Sequence, residues 1–285
     1  MTEMQAGDLL RDATARLKSA GVEGPRRDAV LLLSHASGIA ADRLRIEPST
    51  PVAPEAAVRF SEYVTRRADR EPVSHILGRR EFWSLEFEVS RDVLDPRPDS
   101  ETLVQAVLDQ VPDRAAPLRL VDFGTGSGCL LLALLHELPA AEGLGIDRSP
   151  AALAVAARNA GRLGLATRGR WREGDWGEGI AGAFDILISN PPYIETAAIG
   201  ALAPEVARHE PRLALDGGSD GLAAYRALMS HLARLAAPGA IVALEIGQGQ
   251  EEPVAGLLAE SGFREICAKP DLAGIDRVIL ARNPR

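Results

Sequence analysis

The segment Leu118-Arg119-Leu120-Val121-Asp122-Phe123-Gly124-Thr125-Gly126-Ser127-Gly128 decides the fold. Its mostly apolar first half, Leu118 to Phe123, predicts a buried strand. Its second half carries three glycines at alternate positions, which allow a tight turn and a close approach of a ligand to the backbone. Cys129 to Leu138 then reads as a helix, so the turn places amide N–H groups at a helix start.

Downstream the chain keeps alternating. Strands are predicted at Leu144 to Asp147, Arg168 to Glu173, Phe184 to Ser189, Ile241 to Ile246, Phe263 to Ala268 and Asp276 to Ala281. Helices are predicted at Pro150 to Leu163, Leu222 to Ala236 and Gln250 to Ser261. Such alternation implies an α/β fold, a mostly parallel sheet with helices on both faces. On these sheets ligands bind beyond the carboxyl ends of the strands, where the strand order reverses. The motifs that carry chemistry all fall at such ends.

The glycine turn departs from the dinucleotide fingerprint GxGxxG. Its third glycine position is Cys129, and the pattern is GxGxG instead. That shifts the reading from NAD toward S-adenosylmethionine, which has no pyrophosphate to hold. Gly124, Thr125, Gly126, Ser127 and Gly128 are therefore candidate cofactor residues. Asp147 lies 19 residues after Gly128 and closes the second strand. A carboxylate there accepts hydrogen bonds from both ribose hydroxyls. Its competing reading is an acid at the start of the helix that opens near Pro150. Trp176 follows the third strand beside Asp175 and offers an aromatic face to an adenine ring. Ordinary packing is the alternative there.

The fourth strand runs into Asn190-Pro191-Pro192-Tyr193. Two prolines stiffen an extended backbone and have no N–H, so their carbonyls are offered as acceptors. The Asn190 amide oxygen is another acceptor, and Asn190 also belongs to the candidate cofactor set. Tyr193 supplies a flat face. The combination suits a planar amide or aryl amino group, so Asn190, Pro191, Pro192 and Tyr193 are the candidate substrate residues. Asn190, Pro191 and Tyr193 are the candidate catalytic ones. Acceptors that draw on the two N–H bonds return electron density to the nitrogen, and orientation with electrostatics then carries the reaction.

Upstream, residues 1–75 read as helices with short breaks. Leu9, Leu10, Ala13 and Leu17 recur at helical spacing before Gly21; a second helix opens at Pro25 and ends near Gly38; a third runs from about Pro54 to Arg70. The period changes at residues 81–90, where Leu85, Phe87 and Val89 alternate with polar neighbours. The expected organisation is a helical recognition domain over 1–75, a hairpin linker over 76–95 and the α/β domain over 96–285. Asp99 or Ser100 is placed to cap the helix Glu101 to Gln110.

Composition narrows the function further. The 285 residues are 46% hydrophobic and 25% charged, as in ordinary globular chains, with a formal net charge of −8. Residues 1–75 hold 11 bases and 11 acids, so the excess acid lies entirely in the rest of the chain. That balance argues against a nucleic-acid grip, which needs a basic face. Two distant cysteines, Cys129 and Cys267, exclude a disulfide framework and fit a reducing compartment. The five histidines form no HxxxH or HExxH pair, so no metal is expected. No signal peptide is read at the N-terminus, and the longest greasy run, Cys129 to Leu135, falls far short of the ~20 residues of a membrane span. A soluble cytoplasmic protein is expected.

These motifs together resemble the class I S-adenosylmethionine-dependent methyltransferases that modify amino nitrogens. The NPPY turn is shared with adenine-N6 methyltransferases. A longer match is to the HemK/PrmC family, protein glutamine-N5 methyltransferases acting on peptide chain release factors. It rests on Glu71-Pro72-Val73, Leu77-Gly78, Arg80-Glu81-Phe82-Trp83, Pro96-Arg97-Pro98 and Ser100-Glu101. Glu210-Pro211, Leu213-Ala214-Leu215, Asp220-Gly221-Leu222, Tyr225-Arg226, Glu245-Ile246-Gly247 and Gln250 complete it. Two positions depart from the family pattern, with Asp95 in place of an aliphatic residue and Asp99 in place of Glu.

The resemblance implies a seven-stranded Rossmann-like domain, S-adenosylmethionine as methyl donor with S-adenosylhomocysteine as product, and a Gly-Gly-Gln glutamine as acceptor. It implies class-1 release factors as partners, with a monomer and no direct nucleic-acid binding expected. The alternatives are a ribosomal-protein glutamine, adenine amino methylation, or a cofactor-binding module without catalysis.

Overall fold

In the computed structural model, which describes residues 4–284, two of the N-terminal helices begin at a proline. The elements are β1 (Met4–Gln5), α1 (Ala6–Ser19), α2 (Pro25–Ser37), α3 (Ala41–Ile46), β2 (Pro51–Val52), α4 (Pro54–Ala68) and α5 (Val73–Leu77). Pro25 and Pro54 occupy first turns, where the missing N–H costs nothing, and Gly38 ends α2 in a left-handed conformation. The three long helices follow the apolar periods. The short α3 and α5 were not expected, because one or two turns are too short to display a helical period. Leu10, Leu17, Leu32, Leu33, Leu44 and Phe60 are fully or almost fully buried between them.

The described residues of Met1–Gly78 form one compact unit, and Ala203–His209, from much later in the chain, belongs to the same unit. Polar contacts show why. Buried Arg67 donates to Asp28 at 2.9 Å and pairs with Glu205 at 3.0 Å. Arg70 grips the same Glu205 carboxylate through two N–H groups at 2.8 and 2.7 Å. Within this segment Pro204–His209 form a short helix with no fully buried residue, so the sequence carried no apolar signal for it.

The second unit is Arg79–Leu202 with the described part of Glu210–Arg285. It opens with the hairpin β3 (Arg79–Phe82) and β4 (Leu85–Glu88). The remaining elements are α6 (Glu101–Gln110), β5 (Arg119–Phe123), α7 (Cys129–Glu137), β6 (Glu142–Asp147), α8 (Pro150–Arg162), β7 (Gly169–Glu173), β8 (Phe184–Ser189), α9 (Pro204–His209, in the first unit), α10 (Ala223–Leu235), β9 (Ala236–Glu245), α11 (Glu251–Glu260), β10 (Arg264–Pro270) and β11 (Asp276–Arg282). Strand β9 starts five residues before the expected Ile241, because a register shift opposite Phe184–Ile186 accommodates Pro238 and Gly239.

Seven strands make one sheet in the order β10-β11-β9-β8-β5-β6-β7. The five from β9 to β7 are parallel, and β11 runs antiparallel to both of its neighbours, β9 and β10. Successive side chains of a strand point to opposite faces. Leu120, Ile186, Ile188 and Ala243 accordingly pack with α6 and α7, while Val121, Leu187, Val242 and Leu244 pack with α10 and α11. Both faces are covered, which is why the strands read as continuous apolar runs. Among the described residues no helix is long and apolar enough to cross a membrane.

The hairpin is pinned to the glycine turn by one buried side chain. Asn159 of α8 accepts from the Glu88 N–H at 2.7 Å and donates to the Glu88 and Ser127 carbonyls at 3.0 and 2.9 Å. Below the turn, Trp171 lies across Gly145. A Cβ there would meet Trp171 Cζ3 at 2.5 Å and Thr125 Oγ1 at 2.9 Å. Gly145→Ala should therefore lower stability by about 1–3 kcal/mol, the usual range for an overpacked core. Chemical denaturation checks it; an unchanged midpoint would mean that the indole swings aside freely.

Candidate active site

Strands β5 and β8 are neighbours, yet the chain leaves β5 toward β6 on the other side. The crevice expected at such a reversal lies at their carboxyl ends. There, the Ser189 hydroxyl donates to the Phe123 carbonyl at 2.7 Å, joining the last residues of the two strands. A cavity of about 510 Å³ opens above, within the volume range of ligand sites. Gly124, Thr125, Gly126, Ser127, Asp147, Trp176, Asn190 and Pro192 all line it. So one cavity gathers residues from four strand ends.

The glycine turn has a specific reason for its composition. Gly126 has φ +54°, and a Cβ there would meet nothing within 4 Å, so its face is open. At Gly128, φ +79°, a Cβ would meet Trp171 at 2.9 Å. The first glycine frees space above the turn; the other lets the turn close onto the layer below. Asp147 stiffens this loop: its Oδ2 accepts from the Gly126 N–H and its Oδ1 from the Ser149 N–H, both at 2.9 Å. Ser149, and not Asp147, caps α8, through the Ala152 N–H at 3.2 Å. The helix-capping reading of Asp147 is thereby removed, and each of its oxygens keeps acceptor capacity.

Asp122 lies under the turn, 1% exposed. Its Oδ2 accepts from the Thr125 hydroxyl at 2.6 Å, and its Oδ1 has no partner. Burial pushes its carboxyl up to about 7. Cys129 begins α7, where a lowered thiol pKa was conceivable. The thiol is enclosed although the residue keeps some exposure, and burial pushes it up to about 12, which removes it as a nucleophile at neutral pH.

The Asn190–Tyr193 turn divides its residues between the cavity and its support. Asn190 and Pro192 reach the wall; Pro191 is buried and Tyr193 half-buried, and neither is part of it. Sequence reading expected Tyr193 to present a flat face. The structure turns its hydroxyl to Glu245 Oε1 at 3.3 Å and packs its ring beside the core of the α10–α11 face. Its backbone is held from behind: Gln250 Nε2 donates to the Tyr193 carbonyl at 3.1 Å. Gly221, φ +71°, is obligatory there, since a Cβ would meet the Tyr193 oxygen at 2.4 Å. The carbonyls of Pro191 and Pro192 accept no backbone hydrogen bond from the described residues.

Several supporting residues received no role at the site from sequence. Asp99 or Ser100 was expected to cap α6; Ser100 holds the N-cap position, but its side chain makes no cap bond and instead accepts from Asn190 Nδ2 at 3.3 Å. A short 3-10 turn, Pro98–Ser100, precedes the helix and takes the cap's place. Glu210 fixes the proline loop of residues 95–98, accepting from the Asp95 N–H at 3.1 Å and from Arg97 at 2.9 Å. Burial pushes the Glu210 carboxyl up to about 7 despite Arg97. Asp95 is itself buried and faces Arg80 at 3.8 Å, so an acid is tolerated there. Glu210, Glu245 and Gln250 belonged to quoted motifs; their partners lie too far away in sequence to be read. Among the described residues no group of three or more His, Cys, Asp or Glu gathers to hold a metal.

Comparison with known proteins agrees with this geometry. Residues 8–78 match the family model described as PrmC N-terminal domain, and residues 87–233 the one described as methyltransferase small domain. Over 277 residues the chain is 50% identical to the release factor glutamine methyltransferase of Rhodospirillum rubrum, covering 97% of this chain and 85% of that one. It is 47% identical over 282 residues to the protein of the same name from Cereibacter sphaeroides, covering 99% of each. Among solved structures, the hMettl16 catalytic domain in complex with the MAT2A 3'UTR hairpin 6 aligns with a TM-score of 0.57. It is 16% identical and covers 81% of this chain and 82% of that one, a likeness of fold.

The acid beneath the glycine turn supplies a test. Below an unfolded value near 3.8, Asp122 is protonated whether or not the chain is folded. As pH rises toward 7 the unfolded chain releases that proton while the fold retains it, so the stability it contributed is lost through this window. Asp122→Asn keeps an acceptor for Thr125 and does not titrate. Its unfolding free energy, relative to the wild type, should improve by roughly 2–4 kcal/mol between pH 5 and 8. A difference independent of pH would show that Asp122 is ionised throughout.

Proposed function

Since the chain belongs to the family of release factor glutamine methyltransferases, we propose that its cavity brings a methyl donor to a glutamine amide. The reaction transfers a methyl group from S-adenosylmethionine to the side-chain nitrogen (N5) of the glutamine in the Gly-Gly-Gln motif of class-1 peptide chain release factors. S-adenosylhomocysteine is the other product. One observation carries this reading: the glycine turn of β5 and Asn190 at the end of β8 line the same cavity. S-adenosylmethionine supplies a methyl group already activated by its sulfonium, so no metal and no strong base are asked of the protein.

The residues present fit that donor. Gly126 gives an open backbone face, Asp147 keeps lone pairs for ribose hydroxyls, and Trp176 borders Gly124 with an aromatic surface. On the acceptor side, Asn190 Oδ1 on the wall and the Pro191 carbonyl, which accepts no backbone hydrogen bond from the described residues although Pro191 is buried behind the wall, are the acceptors assigned to the two N–H bonds of the glutamine amide. That orientation aims the nitrogen lone pair and raises its electron density as the new bond forms. Tyr193 works from behind the wall, holding the turn through Glu245. The helical unit of residues 1–75 carries release-factor recognition, since every residue assigned to cofactor or glutamine follows residue 96.

The direct test is labelled S-adenosylmethionine with a purified class-1 release factor, followed by peptide mass mapping. One methyl on the Gly-Gly-Gln glutamine is expected. A labelled ribosomal protein or methylated adenine, with release factor untouched, would overturn the choice of substrate. Binding of the donor without turnover would leave only a binding module. Asn190→Ala should fold, bind the donor within roughly tenfold of the wild type, and lose about 10²–10³ in kcat. Near-normal turnover of that variant would end the catalytic reading of the turn. Asp147→Ala removes a charged acceptor worth roughly 1.5–3 kcal/mol, so calorimetry should show donor binding weakened about 10- to 100-fold.

A further inference from the structure

Gln250 stands at the N-cap position of α11, yet its side chain makes no cap bond. It turns instead toward the back of the Asn190–Tyr193 turn. Its Oε1 accepts from the Gly247 N–H at 3.0 Å. Its Nε2 donates to the Tyr193 carbonyl at 3.1 Å and to the Gly221 carbonyl at 3.4 Å. A backbone N–H can only donate and a backbone carbonyl can only accept, so these three neighbours leave the amide a single orientation. Two glycines make room for it. A Cβ at Gly247 would meet Gln250 Oε1 at 2.9 Å and Tyr193 Cδ2 at 3.1 Å, and one at Gly221 would meet Gln250 Nε2 at 2.6 Å. Gln250 itself does not line the cavity.

The two carbonyls it holds belong to different parts of the cavity lining. Tyr193 ends the turn that brings Asn190 and Pro192 to the wall, and Gly221 lies in the segment that brings Asp216, Ala223 and Ala224 to it. These segments lie directly on one another. A Cβ at Gly217 would meet Tyr193 Cα at 2.8 Å and the Pro192 carbonyl at 2.9 Å, and the Gly217 N–H donates to the Ile194 carbonyl at 2.8 Å. Pro191 and Pro192 have no N–H by which to be held, and ring closure locks their φ angles. The turn therefore has little internal freedom and moves as one piece. Whatever holds its last carbonyl also places Asn190 at its other end.

We propose that Gln250 is a positioning residue for methyl transfer, clasping the Asn190–Tyr193 turn to the 216–224 segment through the Tyr193 and Gly221 carbonyls and so setting where Asn190 meets the glutamine amide. This rests on the reading of that turn as the acceptor of the substrate amide. The donor half of the Gln250 side chain carries the role, and Gln250→Glu separates the two halves. An ionised carboxylate has nearly the same shape and still accepts from the Gly247 N–H. It has no hydrogen for the two carbonyls and sets an oxygen against theirs. The Tyr193 carbonyl is pushed away, and the turn follows it. A misplacement of about 1 Å at a reacting centre can cost on the order of 10²-fold in rate.

The test uses the full chain, S-adenosylmethionine and a purified class-1 release factor, with kcat expressed per donor-binding site titrated by calorimetry. Gln250→Glu should lower kcat about 10- to 100-fold, with the donor dissociation constant and the KM for release factor little changed. Gln250→Met, of similar length and without either set of hydrogen bonds, should lose a comparable amount. A merely structural residue would behave differently: its variants would lower the thermal midpoint and the number of donor-binding sites, while the remaining sites turned over at the wild-type rate. That outcome, or wild-type kcat per site in Gln250→Glu, overturns the proposal. If Gln250→Glu does not fold, Gln250→Met decides alone. Retained turnover in Asn190→Ala would sink the underlying reading of the turn, whereas normal Gln250 variants beside an inactive Asn190→Ala would sink this proposal alone.

Discussion

The bond from the Ser189 hydroxyl to the Phe123 carbonyl joins the ends of two parallel strands, and the site hangs from those ends. Parallel strands put their carboxyl ends on one side of a sheet. With β5 and β8 adjacent and their connections leaving in different directions, a crevice must open between the glycine turn and the Asn190–Tyr193 turn. The core fixes this arrangement because alternate residues of the same strands supply both helix-covered faces. Any shift of β8 against β5 by one residue would exchange the two faces and move Asn190 off the cavity wall.

Around this crevice Asp122, Glu210 and Glu245 are buried acids that burial raises to about 7. Their placement is ordered. Asp122 braces the glycine turn through Thr125, Glu210 braces the proline loop through Arg97 and the Asp95 N–H, and Glu245 stands behind the Asn190–Tyr193 turn. Each takes hydrogen bonds from a segment with little regular structure of its own. A buried acceptor is costly unless satisfied, and for that reason it dictates where its donors must be. The loops are thus set by polar constraint where apolar packing alone would leave them loose.

The helical unit shows the same principle at a different place. Residues 203–209 lie in a connection of the α/β portion of the sequence, yet they belong with the helices before residue 79. Arg67 and Arg70 hold Glu205 there, and Asp28 holds Arg67 in the interior. The chain that follows the Asn190–Tyr193 turn therefore passes through the helical unit before returning to the α/β unit at Glu210.

Much of this was legible in the residues themselves. Apolar runs and breaks located the long helices and the sheet strands to within a few residues, because periodicity is a local property of the chain. Gly124 to Ser127, Asp147, Trp176 and Asn190 were expected at neighbouring strand ends, and they line one cavity because the strand ends of a parallel sheet converge. What remained hidden were relations between distant positions. No local pattern tells that Ser100 turns from its helix to Asn190, that Tyr193 faces Glu245 and leaves the cavity wall, or that Glu205 joins the N-terminal helices. The sequence determined which chemical groups are present and which strand ends bear them. The tertiary structure alone decided which donor meets which buried acceptor, since that depends on approaches of a few ångströms between residues separated by tens of positions.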